Sequence, residues 1–251
     1  MGDRKDWSNM NLWGITDVGA VRTQNQDDYY IELIEPDLGI ALVCDGMGGA
    51  RAGNVASQLA VQTFLETART SPPQEWRSEP EALLHSAARR ANEVVYAKAG
   101  RDPECRGMGT TMVVALVVGQ TAYILNIGDS RCYLVRPDGI RRVTRDHSVV
   151  EDLVTRGKLT PEQARQHPQK NLITRALGAE SQLRADLYRQ DLSPGDALVL
   201  CSDGLSNVVS EQEVLYEVLH GGPAKDCCRR LLDIALLRGA PDNVTAVLLQ
   251  M

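Results

Sequence analysis

Short apolar runs that stop at a carboxylate set the pattern of this chain. Ile40, Ala41, Leu42, Val43 and Cys44 are followed at once by Asp45, Gly46, Met47, Gly48 and Gly49. A run this short reads as a buried strand, and the glycines after it let backbone come close to whatever the carboxylate faces. Residues 197–202 repeat the arrangement and end in Asp203 and Gly204. Two strands that end in Asp-Gly predict two carboxylates meeting at one rim of a sheet, with a cation between them.

The rest of the chain fills in around those endings. Residues 11–16 read as a first strand closed by a turn at Asp17 and Gly19, and 29–34 as the next strand. Between them lie Arg22, Asn25, Asp27 and Asp28. That polar run reads equally as a surface loop and as the donors of an anion and metal site. Ala56, Ala60, Phe64 and Ala68 recur every four residues and predict a helix over 54–68. Ser78, with Glu81 three on, predicts the cap of a second helix whose stripe runs from Leu83 to Val95 and stops at Gly100. The intervening residues 71–76 read as a loop.

Strands at 112–118, 122–127 and 132–136 follow at hairpin spacing and predict an antiparallel sheet, with Asp129 at the end of the second. Residues 144–180 are polar and poorly periodic. They carry two capping-box starts, Ser148 with Glu151 and Thr160 with Gln163, and read as a flap over the site. Strands at 184–190 and 197–202 come next. Ser210 with Glu213 caps one helix, Pro223 opens another that ends at Gly239, and Asp242 and Asn243 precede a last strand at 244–249. Strands, helices, strands and helices in this order make an α+β layered domain.

Composition narrows the picture without deciding it. A chain of 251 residues, 43% hydrophobic and 24% charged, predicts a single domain over 1–251. The net charge of -6 and the isolated arginine pairs leave no basic stripe, so no nucleic-acid partner is expected. The first residues lack an apolar signal core and no window approaches the ~18 apolar residues of a span, so no membrane is expected and the cytoplasm is. Six cysteines show no C-x-x-C spacing and read as reduced packing residues.

Asp27, Asp45, Asp203 and Asp242 share one context, the end of a predicted strand or its flanking turn. Carboxylates without His or Cys partners select Mg²⁺ or Mn²⁺ over Zn²⁺. Two such ions ~3.5–4 Å apart lower the pKa of a shared water enough to attack phosphorus at neutral pH. Four aspartates against two divalent ions leave the site neutral, and Arg22 adds a positive charge that suits a phosphate dianion.

Seven ordered segments carry a family resemblance. They are Asp17 to Gly19 with Arg22, Asn25 and Asp27; Asp45 to Gly49; Gly109 to Thr111; Gly128 to Arg131; Thr174 to Gly178; Ser202 to Leu205; and Asp242 to Thr245. Together the chain resembles the PPM family, the metal-dependent protein phosphatases of type 2C, in its compact bacterial form. The resemblance implies a central antiparallel β-sandwich flanked by helix pairs in α-β-β-α layers, with 144–180 as the flap. It implies hydrolysis of phosphoserine and phosphothreonine in proteins, with Asp45 and Asp203 at the catalytic centre. Asp45 and the Gly46 carbonyl would bridge two Mn²⁺ or Mg²⁺ ions, Asp27, Asp203 and Asp242 would complete their shells, and Arg22 would hold the substrate phosphate. Asp129 with Asp203 would take a third, weaker ion. A cognate Ser/Thr kinase and a monomeric state are implied as well.

One departure stands out. Many relatives place a histidine proton donor after the first Asp-Gly or after the glycine pair, where this chain has Met47 and Ala50. His147 is a candidate substitute, with a capping or surface role as the alternative. Two other readings remain at this point: a silent phosphoprotein-binding relative, against which the intact metal positions speak, and a small-molecule phosphohydrolase on the same scaffold.

Overall fold

The computed structural model describes residues 10–49 and 52–251. In chain order the first sheet elements are β1 (Asn11–Asp17), β2 (Asp27–Glu35) and β3 (Leu38–Met47). Helices α1 (Ala52–Ala68), α2 (Pro73–Ser78) and α3 (Pro80–Arg101) follow. Then come β4 (Gly109–Thr110), β5 (Met112–Val118), β6 (Thr121–Ile127), β7 (Arg131–Arg136) and β8 (Gly139–Arg142). The remainder comprises α4 (Val149–Thr155), α5 (Pro161–Arg165), β9 (Asp186–Asp191), β10 (Ala197–Cys201), α6 (Asp203–Ser206), α7 (Glu211–Leu219), α8 (Cys227–Leu237) and β11 (Val244–Gln250).

The strands form two sheets in which every pairing is antiparallel. One has the order β1-β11-β10-β7-β8 and the other β2-β3-β5-β6-β9, with β4 added to β3. The period of two along each strand explains the layers. In β3, Ile40 and Leu42 pack with Phe64 and Leu84 from α1 and α3, while Ala41 and Val43 face the other sheet. Leu198, Leu200 and Val247 meet them from that side, and Val199 and Leu248 turn outward onto Leu231 and Leu232 of α8. Both faces of the central strands are therefore buried, which is why they read as unbroken apolar runs and not as alternations. The α-β-β-α sandwich follows from this arrangement. No helix among the described residues is long and apolar enough to cross a membrane.

The structure corrects several expectations. Residues 71–76 are not simply a loop: Pro73 starts α2, and Trp76 is buried with its Nε1 donating to the Ala68 and Ser71 carbonyls. Ser78 ends that helix and does not cap the next, because Pro80 takes the first position of α3. Thr160 with Gln163 and Ser210 with Glu213 do form capping boxes. Ser148 caps α4, but the Glu151 carboxylate turns to Arg142 instead of closing the box. The strands at 112–136 do not share a sheet. β5 and β6 form a hairpin in one, and the chain then crosses at Gly128–Ser130 to deliver β7 to the other. Likewise the two Asp-Gly strands, β3 and β10, lie in opposite sheets, so their carboxylates meet across the open end of the sandwich and not along one rim.

Candidate metal centre

At that end of the sandwich a cavity of about 500 Å³ is lined by Arg22, Asp45, Gly46, Asp129, Asp203 and Asp242 among others. The four aspartates arrive on different segments. Asp45 is carried by β3, whose terminal turn is fixed by Asp45 N donating to Thr111 Oγ1 and by Thr111 N and Thr110 Oγ1 donating to the Asp45 carbonyl. Asp129 sits in the crossing between β6 and β7, tied to the same threonine by the 2.6 Å contact between Thr111 Oγ1 and Ser130 Oγ. Asp203 opens α6, and Asp242 precedes β11. Gly46 and Gly204 permit the convergence. A Cβ at Gly46 would stand 2.1 Å from the Gly53 carbonyl oxygen, and one at Gly204 would stand 1.8 Å from that of Asn243. Only a residue without a side chain fits either place.

Asp27 is placed differently. It pairs directly with Asp45 across β2 and β3, yet it is buried and is not among the residues that line the cavity. Its Oδ2 accepts from Ser202 Oγ at 2.7 Å and from Thr245 Oγ1 at 2.6 Å, and its Oδ1 is buried without a partner. Burial, relieved in part by the two hydroxyls, pushes this carboxyl up to about 7.

The other carboxyls are crowded too. Burial, then Asp27, Asp203, Asp129 and Asp242, raise Asp45 well above the usual carboxylate range. Burial and the charge of Asp203 push Asp129 up to about 8. Asp203 is raised by burial and by Asp242, and lowered by a hydrogen bond with Asp45. Folding thus assembles acidic groups that repel one another, an arrangement with no structural benefit and a strong attraction for cations.

The donor set fits a hard divalent cation: carboxylates, a backbone carbonyl at Gly46, an unpartnered Asp27 oxygen, and no thiol or imidazole in the cavity wall. Among the described residues no three His, Cys, Asp or Glu side chains are placed to hold a metal ion by themselves. A cation here needs the carbonyl and solvent as well, as Mg²⁺ and Mn²⁺ sites ordinarily do.

Arg22 is half-exposed at the rim and donates to Asp242 Oδ2 at 2.8 Å. Its loop is stapled by Asn243, which accepts from Gln26 N and donates to the carbonyls of Val18 and Gln24. Asp17 accepts from Gly19 N, the turn role its sequence predicts.

His147 does not face the cavity. It is buried, its Nδ1 accepts from Gly128 N at 3.1 Å, and its Nε2 lies 3.1 Å from Asp186 Oδ2. Its backbone also joins Gly128 to Thr174. His147 is a strut between the Asp129 turn and the 144–180 segment, and burial lowers its pKa. Of the two positions where the family resemblance would place a histidine, Met47 lines the cavity as a thioether. Ala50, like the opening residues 1–9, lies outside the described residues. Arg131 and Arg175 hold loops by ion pairs, to Asp146 at 2.7 Å and to Asp186 at 2.8 Å.

Sequence reasoning gave no role to Ser202, Thr245, Thr111 or the Asn243 side chain. Their signal is a polar residue set in or beside an apolar strand, which must find a partner once buried.

Comparison with known proteins defines the class. The chain belongs to the protein phosphatase 2C family, whose model matches residues 20–231. It is 37% identical over 244 residues to the protein phosphatase PhpP of Streptococcus pneumoniae, covering 96% of this chain and 98% of that one. It is 35% identical over 239 residues to a serine/threonine phosphatase stp of Listeria innocua, covering 94% and 93%. Its fold matches the catalytic domain of the serine/threonine protein phosphatase PstP, crystallised with two manganese ions. The TM-score there is 0.84 at 34% identity, covering 96% of this chain and 97% of that one.

Proposed function

We propose that this protein removes phosphate from phosphoserine and phosphothreonine in proteins, using two Mn²⁺ or Mg²⁺ ions held at the open end of the sandwich. The observation that carries this reading is the convergence of Asp45, Asp203, Asp242 and Asp129 in one cavity beside Arg22, with Asp45, Asp129 and Asp203 raised by burial first and by their carboxylate neighbours second. Asp45 and the Gly46 carbonyl would hold the ions, Asp203 and Asp242 would complete their shells, and Asp129 with Asp203 would take a third, weaker one. Asp27 would contribute through its unpartnered Oδ1, while Ser202 and Thr245 fix its other oxygen. When bound, such an ion pair supplies hydroxide at neutral pH and offsets charge on the phosphoryl oxygens.

The chain's own groups do the remaining work. Arg22 orients the phosphate with its planar fork, exchanging Asp242 for phosphoryl oxygens. The Thr111–Ser130 contact keeps Asp45 and Asp129 at fixed separation as substrate enters. His147 transfers no proton to the leaving oxygen, since it donates to Asp186 from outside the cavity. The sandwich and its helices act as one phosphatase unit with 144–180 as its flap. It works as a cytoplasmic monomer on the products of a cognate Ser/Thr kinase.

The test is chelation. Protein stripped of divalent ions should release no phosphate from a phosphothreonine peptide, and added Mn²⁺ should restore turnover. Release that continues after stripping would overturn the reading.

A further inference from the structure

A second cavity, of about 210 Å³, opens beside the acidic one and shares Met47 and Ile173 with it as a common wall. The half-buried Ala176 and the exposed Ala179 add to a mainly apolar lining. Its size is informative. It exceeds the ~150 Å³ of an apolar cavity that accepts a benzene ring. It falls short of the ~300 Å³ at which sites for free small molecules begin. One large side chain fits it; a cofactor does not.

The charges at its rim are already paired. Arg175 donates to Asp186 Oδ1 at 2.8 Å, and Arg184 donates to Glu180 at 2.8 Å. A charged occupant would have to break one of these pairs, whereas an apolar one gains area and breaks nothing. The walls are also held in place. Asn92 of α3 accepts from Gly178 N and donates to the carbonyls of Glu180 and Ser181, and Leu177 pairs with Thr110 through two backbone hydrogen bonds. A cavity held this firmly costs little to fill.

We propose that this cavity is a specificity subsite for an apolar side chain, of leucine, methionine or phenylalanine size, flanking the phosphoresidue of the protein substrate. The inference rests on the phosphatase reading above and adds the class of neighbour that the substrate carries. Because the two cavities share a wall, that residue lies within about two positions of the phosphothreonine, at ~3.3 Å of extended chain per residue. Phosphorylated metabolites have no such group and gain nothing from it.

The experiment uses phosphothreonine peptides in which each of the two positions on either side is varied among Leu, Ala, Glu and Lys, with p-nitrophenyl phosphate as a substrate lacking flanks. At one position Leu should exceed Ala about tenfold in kcat/KM, with Glu and Lys at or below Ala, a discrimination typical of one apolar pocket. Ala179→Trp fills the cavity from its exposed side, and Ala176→Leu does so more gently. Each should cut the Leu preference to about twofold or less while p-nitrophenyl phosphate turnover stays within about twofold. Equal rates for all peptides at all four positions would overturn the proposal. So would a Leu preference that survives either variant with aryl phosphate turnover intact. Failure of the native protein on every substrate would sink the phosphatase reading itself, a result distinct from loss of selectivity alone.

Discussion

Asp45→Asn separates a site built for cations from a set of turn-forming residues. Asp45 stands opposite Asp27 in the β2–β3 register and hydrogen-bonds with Asp203, and burial with four carboxylate neighbours raises its pKa. Two unit charges about 4 Å apart repel by about 4 kcal/mol at an effective permittivity of ~20. Proton sharing between Asp45 and Asp203 relieves part of that. Asparagine keeps the shape, removes the charge and donates to Asp203 from its amide. In chelator at pH 7 the variant should therefore be more stable by about 1–3 kcal/mol, or ~3–10 °C in Tm for a chain of this size.

The sign with pH follows from the raised pKa. The folded state holds a proton that the unfolded chain releases near pH ~3.9, so the penalty is present above that pH and vanishes below it. The advantage of Asp45→Asn should shrink toward pH 4. Added Mn²⁺ should reverse the order, because native protein at a hundredfold excess over Kd gains about 2.7 kcal/mol and the variant, missing a ligand, gains less. Turnover should fall by orders of magnitude. Thermal unfolding followed by circular dichroism, with and without Mn²⁺ and over pH 4–8, checks all of this. A variant that is less stable in chelator, or an equal Mn²⁺ gain in both proteins, would refute the reasoning.

Arg22→Ala should raise KM for a phosphopeptide roughly tenfold to a hundredfold, the worth of a charge-assisted pair, with a smaller effect on kcat. Because the Arg22–Asp242 pair is half-exposed, stability should change by less than ~1 kcal/mol, which initial rates and urea unfolding would measure together. Ser210→Ala should cost about 1 kcal/mol by opening the capping box of α7. Arg238, with Ser210, holds Glu213 near 2, so its contribution is present above the ordinary glutamate range and lost as pH falls toward 2. Urea midpoints at pH 5 and pH 2.5 should show the native-to-Ser210→Ala gap narrowing in acid.

Local pattern by itself determined the class of elements, the two apolar strands ending in Asp45 and Asp203, the capping boxes at Thr160 and Ser210, and the carboxylates worth watching. These follow from period-two burial and from turn chemistry, which act over a few residues. The tertiary structure alone decided that β3 and β10 lie in opposite sheets, that the chain changes sheet at Asp129, and that one oxygen of Asp27 is held by Ser202 and Thr245. It also decided that His147 braces a turn and that a second cavity adjoins the first. Each of those depends on pairings between residues far apart in the chain, such as Asp27 with Ser202 and Thr245. No local preference encodes them, because long-range register is settled by how whole faces pack together.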